Sequence, residues 1–129
     1  IYPSQKISNY VFRNEGDLRF SKKMDDWGLD QLTFSSGSAY ADFDNDGDLD
    51  LVVNNTNDKA SIYKNNGEKI SGNNYLRIKL INQGKSVSSF GVKATIRIGD
   101  KIQFQESSNT RGIFSTSESI LHFGIGGYR

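Results

Sequence analysis

The chain has 129 residues, 35% of them hydrophobic, 12% aromatic and 24% charged, with no Cys and a net charge of +1. That length suits one domain or two small units sharing a core. The near-zero charge gives no global pull toward nucleic acid or an acidic partner, and the missing Cys excludes a disulfide framework and thiolate chemistry.

No apolar run approaches the roughly 18 residues that cross a bilayer, so no membrane insertion is expected. The first residue is not Met and no signal peptide opens the chain, which therefore reads as mature material or an excised segment. Period-2 alternation and Gly/Asn punctuation outweigh helical periodicity throughout, predicting an all-β protein of short strands. In chain order the strands are expected at residues 10–13, 18–22, 38–41, 49–54 and 61–64, then at 75–81, 92–98, 101–106 and 120–123. A short helical turn is conceivable around residues 23–29.

A repeat emerges from this pass. Val11-Phe12-Arg13-Asn14-Glu15-Gly16 matches Ile62-Tyr63-Lys64-Asn65-Asn66-Gly67 at an offset of 51 positions. Both read apolar, aromatic, basic, Asn, any residue, Gly: a strand entering a turn whose Gly supplies positive φ. A period of about 50 residues with several short strands per unit is typical of propeller blades. Composition shifts near Ser71-Gly72-Asn73-Asn74, from Asp- and Asn-rich segments to longer alternating strands carrying Lys and Arg. The expected units are therefore residues 1–72, with propeller-blade-like hairpins, and 73–129, a small β-sandwich or barrel. Alternation assigns Leu76, Ile78, Leu80, Val92, Ile96, Ile98, Ile102, Phe104 and Phe123 to the core of the second unit.

The most informative segment is Asp42-Phe43-Asp44-Asn45-Asp46-Gly47-Asp48-Leu49-Asp50. Asp42, Asp44, Asp46 and Asp50 occupy loop positions 1, 3, 5 and 9, Gly47 permits a sharp bend at position 6, and Asp48 at position 7 is expected to offer its main-chain oxygen. Ca²⁺ takes six to eight hard oxygens in flexible geometry, whereas Mg²⁺ resists giving up its waters, so Ca²⁺ is the expected cofactor. Charge points the same way: five Asp in nine residues with no Lys or Arg among them leave the rest of the chain at +6. Carboxylates about 5 Å apart at an effective dielectric of ~20 repel by roughly 3 kcal/mol per pair, so without a cation the loop is expected to open or raise its pKa values. An EF-hand is excluded, because Val53 stands where its bidentate Glu belongs and the following residues alternate as a strand. The competing reading is a solvated acidic turn with no metal.

These residues resemble the FG-GAP/VCBS family of calcium-loop propeller repeats. The likeness runs through Val11-Phe12-Arg13-Asn14-Glu15-Gly16-Asp17, Trp27-Gly28-Leu29, Gly37-Ser38-Ala39-Tyr40-Ala41-Asp42 and the Asp loop. The first Asn-x-Gly-Asp turn departs from the family in lacking its second Gly, and Glu68 replaces Asp after the second turn. Asn74-Tyr75-Leu76-Arg77-Ile78-Lys79-Leu80, Gly91-Val92-Lys93-Ala94-Thr95-Ile96, Arg111-Gly112-Ile113-Phe114-Ser115 and Leu121-His122-Phe123-Gly124-Ile125-Gly126 resemble the ASPIC/UnbV domain that often follows such repeats. Family members usually continue with one more strand, so the resemblance implies a fragment of a larger surface protein. It further implies an extracellular or bacterial cell-envelope location, an adhesion or ligand-presenting role, and no catalytic residues.

Other residues carry a plain and a sharper reading. His122, the one histidine, is expected to be structural and hydrogen-bonded rather than a catalytic base, since no partner motif lies near it in sequence. Arg77, Lys79, Lys93, Arg97 and Lys101 are expected to point outward. They form either a solvated sheet face or a stripe that binds a polyanion. Trp27 is expected in the core, although it could stack on a sugar, and Asn54-Asn55-Thr56 matches a glycosylation sequon. Three functions follow: a calcium-stabilised extracellular binding or scaffold module whose partner is a surface polymer, glycan or protein; a nucleic-acid- or polyanion-binding module; and a glycan-active enzyme using the Asp cluster. The first is favoured, because carboxylates at calcium spacing look like ligands rather than an acid and base in unlike environments.

Overall fold

A computed structural model describes residues 5–67, 69, 72–81, 90–108, 110–112 and 115–128. The chain is all-β, and among the described residues every strand pairing is antiparallel. In the first half, β1 (Ile7–Ser8) pairs with β4 (Leu32–Thr33), and β2 (Phe12–Gly16) forms a hairpin with β3 (Arg19–Lys22). β5 (Ser35–Ala41), β6 (Asp50–Asn55) and β7 (Ser61–Tyr63) make a three-stranded sheet with β6 in the middle. In the second half, β8 (Asn74–Ile78) pairs with β13 (Leu121–Gly126), β9 (Lys93–Ile98) with β10 (Lys101–Glu106), and β11 (Thr110–Gly112) with β12 (Ser115–Thr116). The short β1, β4, β11 and β12 lie outside the expected strands; with two or three residues each they show too little alternation to read.

The two copies of the repeat fold alike at their turns. Asn14 Oδ1 accepts a hydrogen bond from Gly16 N at 2.9 Å, and Asn65 Oδ1 accepts one from Gly67 N at 3.0 Å. Each Asn thus bridges two residues forward to the backbone, the local bond that makes Asn a turn residue. Residues 23–29 form the helical turn expected there. Trp27 N bonds to Lys23 O, Leu29 N returns to Met24 O at 2.8 Å, and Gly28 adopts φ +69 before the exit. This is a Schellman closure, and its apolar pair is Met24 and Leu29, both buried. Trp27, one position before the glycine, is 51% exposed, so the core role expected for it belongs to its neighbours.

Among the described residues the buried apolar side chains are Met24, Leu29, Val53, Leu121 and Phe123. Phe123, expected inside, is fully buried, while Ile78, Leu80, Ile96 and Ile98 are half-buried. Leu76, Val92, Ile102 and Phe104 are exposed, the last two at 59% and 57%. For Ile102 and Phe104 the cause is register. Gly99-Asp100 makes a two-residue turn that sets Lys101 opposite Ile98, so Gln103 falls opposite Ile96 and Gln105 opposite Ala94. Directly opposed residues share a face. Lys101, Gln103 and Gln105 therefore lie with Ile96 and Ile98, and Ile102 and Phe104 turn to the side of Arg97 and Thr95. The inward position suits the glutamines: Gln103 Nε2 and Gln105 Nε2 donate to the main-chain oxygens of Gly124 and His122. Side-chain amides on β10 thereby tie it to β13.

Candidate metal centre

The acidic segment is the loop of the β5–β6 hairpin, closed at its base by the pairing of Ala41 with Asp50. Hydrogen bonds from within shape it. Asp44 Oδ1 accepts from Asp46 N at 3.3 Å and Asp46 Oδ1 from Asp48 N at 3.1 Å. Asp50 is buried, and its two oxygens accept from Phe43 N (3.1 Å) and Asn65 N (2.8 Å). Asp50 therefore ties the loop's entry to the second repeat turn. Gly47 takes φ +97, and a Cβ there would lie 1.8 Å from the ring of Tyr75, so β8 covers the bend and only glycine fits beneath it.

Asp42, Asp44 and Asp46 each place a carboxylate oxygen within 4.8 Å of the others. The Asp42 carboxylate has no solvent exposure at all. Its Oδ2 accepts from Arg77 Nη1 at 2.9 Å, but its Oδ1 is buried with no hydrogen-bond partner among the described residues. A carboxylate oxygen left without a hydrogen-bond partner in the interior is costly, and it marks a place where a cation fits. Three hard oxygens in one cluster are a donor set suited to Ca²⁺ or Mg²⁺ and unsuited to soft metals. Of the five expected ligands, Asp42, Asp44 and Asp46 are brought together. The Asp48 carboxylate lies against the Gly67 turn, and the Asp50 oxygens face the backbone donors named above.

The loop also carries two built-in cations. Lys64 Nζ bonds to Asp44 Oδ2 and lies 3.2 Å from Asp46 Oδ2. Its ammonium holds the Asp44 carboxyl below the usual carboxylate range and is itself pushed upward by the two carboxylates. Arg77 spans Asp42 and, at 3.4 Å, Glu118. The loop is therefore closed and partly neutralised by the chain's own groups. Charge alone predicts an open loop or raised pKa values; the loop is closed, and the pKa of Asp44 is lowered.

Family models match an FG-GAP-like repeat over residues 4–53 and ASPIC and UnbV over residues 82–129. An FG-GAP-like repeat is followed here by an ASPIC/UnbV domain. No curated protein and no solved structure matches the chain. The FG-GAP span includes the whole acidic loop, whereas Lys64, Tyr75 and Arg77, which cover and neutralise it, lie between the two matched spans.

The outward basic stripe does not form. Arg77 faces the FG-GAP loop, because Tyr75 and Arg77 share the side of β8 that packs over it. Lys93 and Arg97 share a face, with Glu106 opposite Lys93 and 3.9 Å away, while the turn at Gly99 sends Lys101 to the other side. Lys79 is exposed beyond the end of β8. His122 is half-buried opposite Arg77 and stacks on Tyr75 with ring centroids 5.4 Å apart. Burial first, and the Arg77 charge second, push its imidazole below the usual histidine range. Its Nδ1 has no hydrogen-bond partner among the described residues, so packing rather than a hydrogen bond there holds the ring. Arg77, Glu118 and Lys64 escaped the sequence reading as parts of the site. Lys64 left a trace as the basic residue shared by both repeat copies, and Arg77 was expected only as part of the outward stripe.

Proposed function

We propose that the chain is a calcium-stabilised, non-catalytic binding or scaffold module of an extracellular or cell-envelope protein. The observation that carries this reading is the buried, unpartnered Asp42 Oδ1 in a cluster with Asp44 and Asp46 oxygens. Asp42, Asp44 and Asp46 would hold the ion, with the main-chain oxygen of residue 48 as a further donor in keeping with the loop positions. The ion's chemistry is charge neutralisation: it supplies the positive charge that Arg77 and Lys64 give only in part. Ion binding would then lock the β5–β6 hairpin, and its free energy would add to folding.

A catalytic role for these carboxylates has less support. A general acid needs a raised pKa, and Asp44 is held low by Lys64. FG-GAP repeats occur typically outside the cell, where millimolar calcium saturates even a weak loop site. The exposed surfaces flanking the loop would carry the adhesive or ligand-presenting function.

Thermal melting with EDTA and with excess Ca²⁺ tests the reading. At a calcium concentration 100 times Kd the gain is about 2.7 kcal/mol, which raises Tm by roughly 5–15 °C for a chain of this size. Asp42→Ala should abolish the difference between the two conditions. Identical midpoints for the unaltered chain would refute the calcium reading.

A further inference from the structure

Lys64 occupies the charge position that a bound cation would need. Its ammonium touches the Oδ2 atoms of Asp44 and Asp46, two of the three carboxylates that cluster within 4.8 Å. A divalent ion drawing on those carboxylates and an ammonium in contact with them are like charges at close range, so the two compete.

The chain's other internal cation behaves differently. Arg77 is held by the β8–β13 ladder opposite His122, divides its guanidinium between Asp42 and Glu118, and leaves Asp42 Oδ1 untouched. Its planar fork holds Asp42 and Glu118, and of the three clustered carboxylates it meets Asp42 alone. Lys64 stands on a flexible four-carbon stem with about half of its side chain exposed. Its release into water needs no backbone movement, because the neighbouring Asn65 N stays on Asp50 Oδ1.

We propose that Lys64 is an intrinsic competitor for the acidic loop: it fills the Asp44–Asp46 side in the metal-free protein and is displaced when a divalent cation binds. This rests on the calcium reading given above and sets the affinity and selectivity of that same site. A monovalent ion gains little over an ammonium that is already tethered there, whereas a divalent ion gains a second charge. Lys64 therefore excludes Na⁺ and K⁺ and weakens Ca²⁺ binding, adapting the loop to high calcium concentrations.

Calorimetric Ca²⁺ titration of the full chain tests this with Lys64→Met, Lys64→Arg and, as an exposed cation outside the loop, Lys59→Met. Lys64→Met should tighten binding at least tenfold, Lys64→Arg should keep it weak, and Lys59→Met should change it less than twofold. Unchanged or weaker binding by Lys64→Met, while the unaltered chain binds Ca²⁺, would overturn the competitor role and leave the calcium site standing. No binding by any variant would overturn the calcium reading and this proposal with it. A second measurement needs no substitution. With lysines carrying ¹³C-dimethyl labels, which keep the positive charge, the Lys64 resonance should shift as Ca²⁺ is added. A Lys64 signal that stays fixed during a demonstrated binding event would also overturn displacement.

Discussion

Leu18 shows how one residue departs from what its turn demands. Asp17 and Leu18 are the two central residues of the β2–β3 hairpin, with φ of 49° and 58°. Two successive positive φ values suit an Asn-Gly or Asp-Gly pair, and this is the turn that lacks its second Gly. A leucine there bears the left-handed penalty of roughly 1–2 kcal/mol, and at 94% exposure it recovers nothing by burial. Leu18→Gly should therefore stabilise the chain by about 1 kcal/mol, after the added flexibility of the unfolded glycine is subtracted. A urea midpoint that rises without a change in slope would show it. His122 yields a second expectation at this scale. Its folded pKa lies below the unfolded value of 6.5, so the folded state favours the neutral ring. Near neutral pH and above, both states are largely neutral. As pH falls through 6.5, the unfolded chain takes up a proton that the folded chain resists, and stability drops. Urea midpoints measured in EDTA from pH 7.5 to 5.5 should decline more steeply for the unaltered chain than for His122→Gln.

Strand existence was legible because alternation is a local signal, and Leu121 and Phe123 show it: they share the face of Ile78 and Leu76 across the ladder and are buried. Which face is buried was harder to read. For β8 the alternation correctly separates Arg77 from Leu76 and Ile78, but the side assigned to solvent is the one that packs on the acidic loop. That mistake is one of tertiary placement, and strand periodicity holds no information about it. For β10 the missing signal was available. A two-residue turn with Gly99 at its first central position, φ +57, fixes the pairing of Ile98 with Lys101. Counting onward from that pair puts Gln103 and Gln105 on the inner side and Ile102 and Phe104 on the outer one. The Asp spacing was readable for a similar reason, since positions 1, 3 and 5 of one short loop converge through local hydrogen bonds alone. Lys64 and Arg77 reach that loop from 20 and 35 residues away in sequence, and only the fold brings them in.

At the scale of the molecule, among the described residues, small sheets are joined by side chains instead of continuous ladders. Ser115 Oγ and Ser117 Oγ accept from the edge N–H groups of Ser38 and Tyr40 on β5, and Gln103 and Gln105 serve the edge oxygens of β13. Such contacts satisfy exposed strand edges and discourage pairing with other chains. Among the described residues the polar groups that join the halves include the Arg77–Asp42 pair, whose carboxylate has no solvent exposure. Arg77→Met should test the contribution of that pair. The substitution keeps much of the apolar stem but strands a carboxylate with no solvent exposure, and losing one partner of a buried pair costs about 3–5 kcal/mol. Because Arg77 retains 27% exposure, the lower end applies, about 3 kcal/mol by urea unfolding in EDTA. Excess Ca²⁺ should recover part of that loss if the ion takes over the charge of Asp42, making the Arg77→Met penalty smaller with calcium than without it. Equal penalties in the two conditions would show that Arg77 and the ion act on separate groups, and the loop would then not be the link between metal binding and the docking of β8.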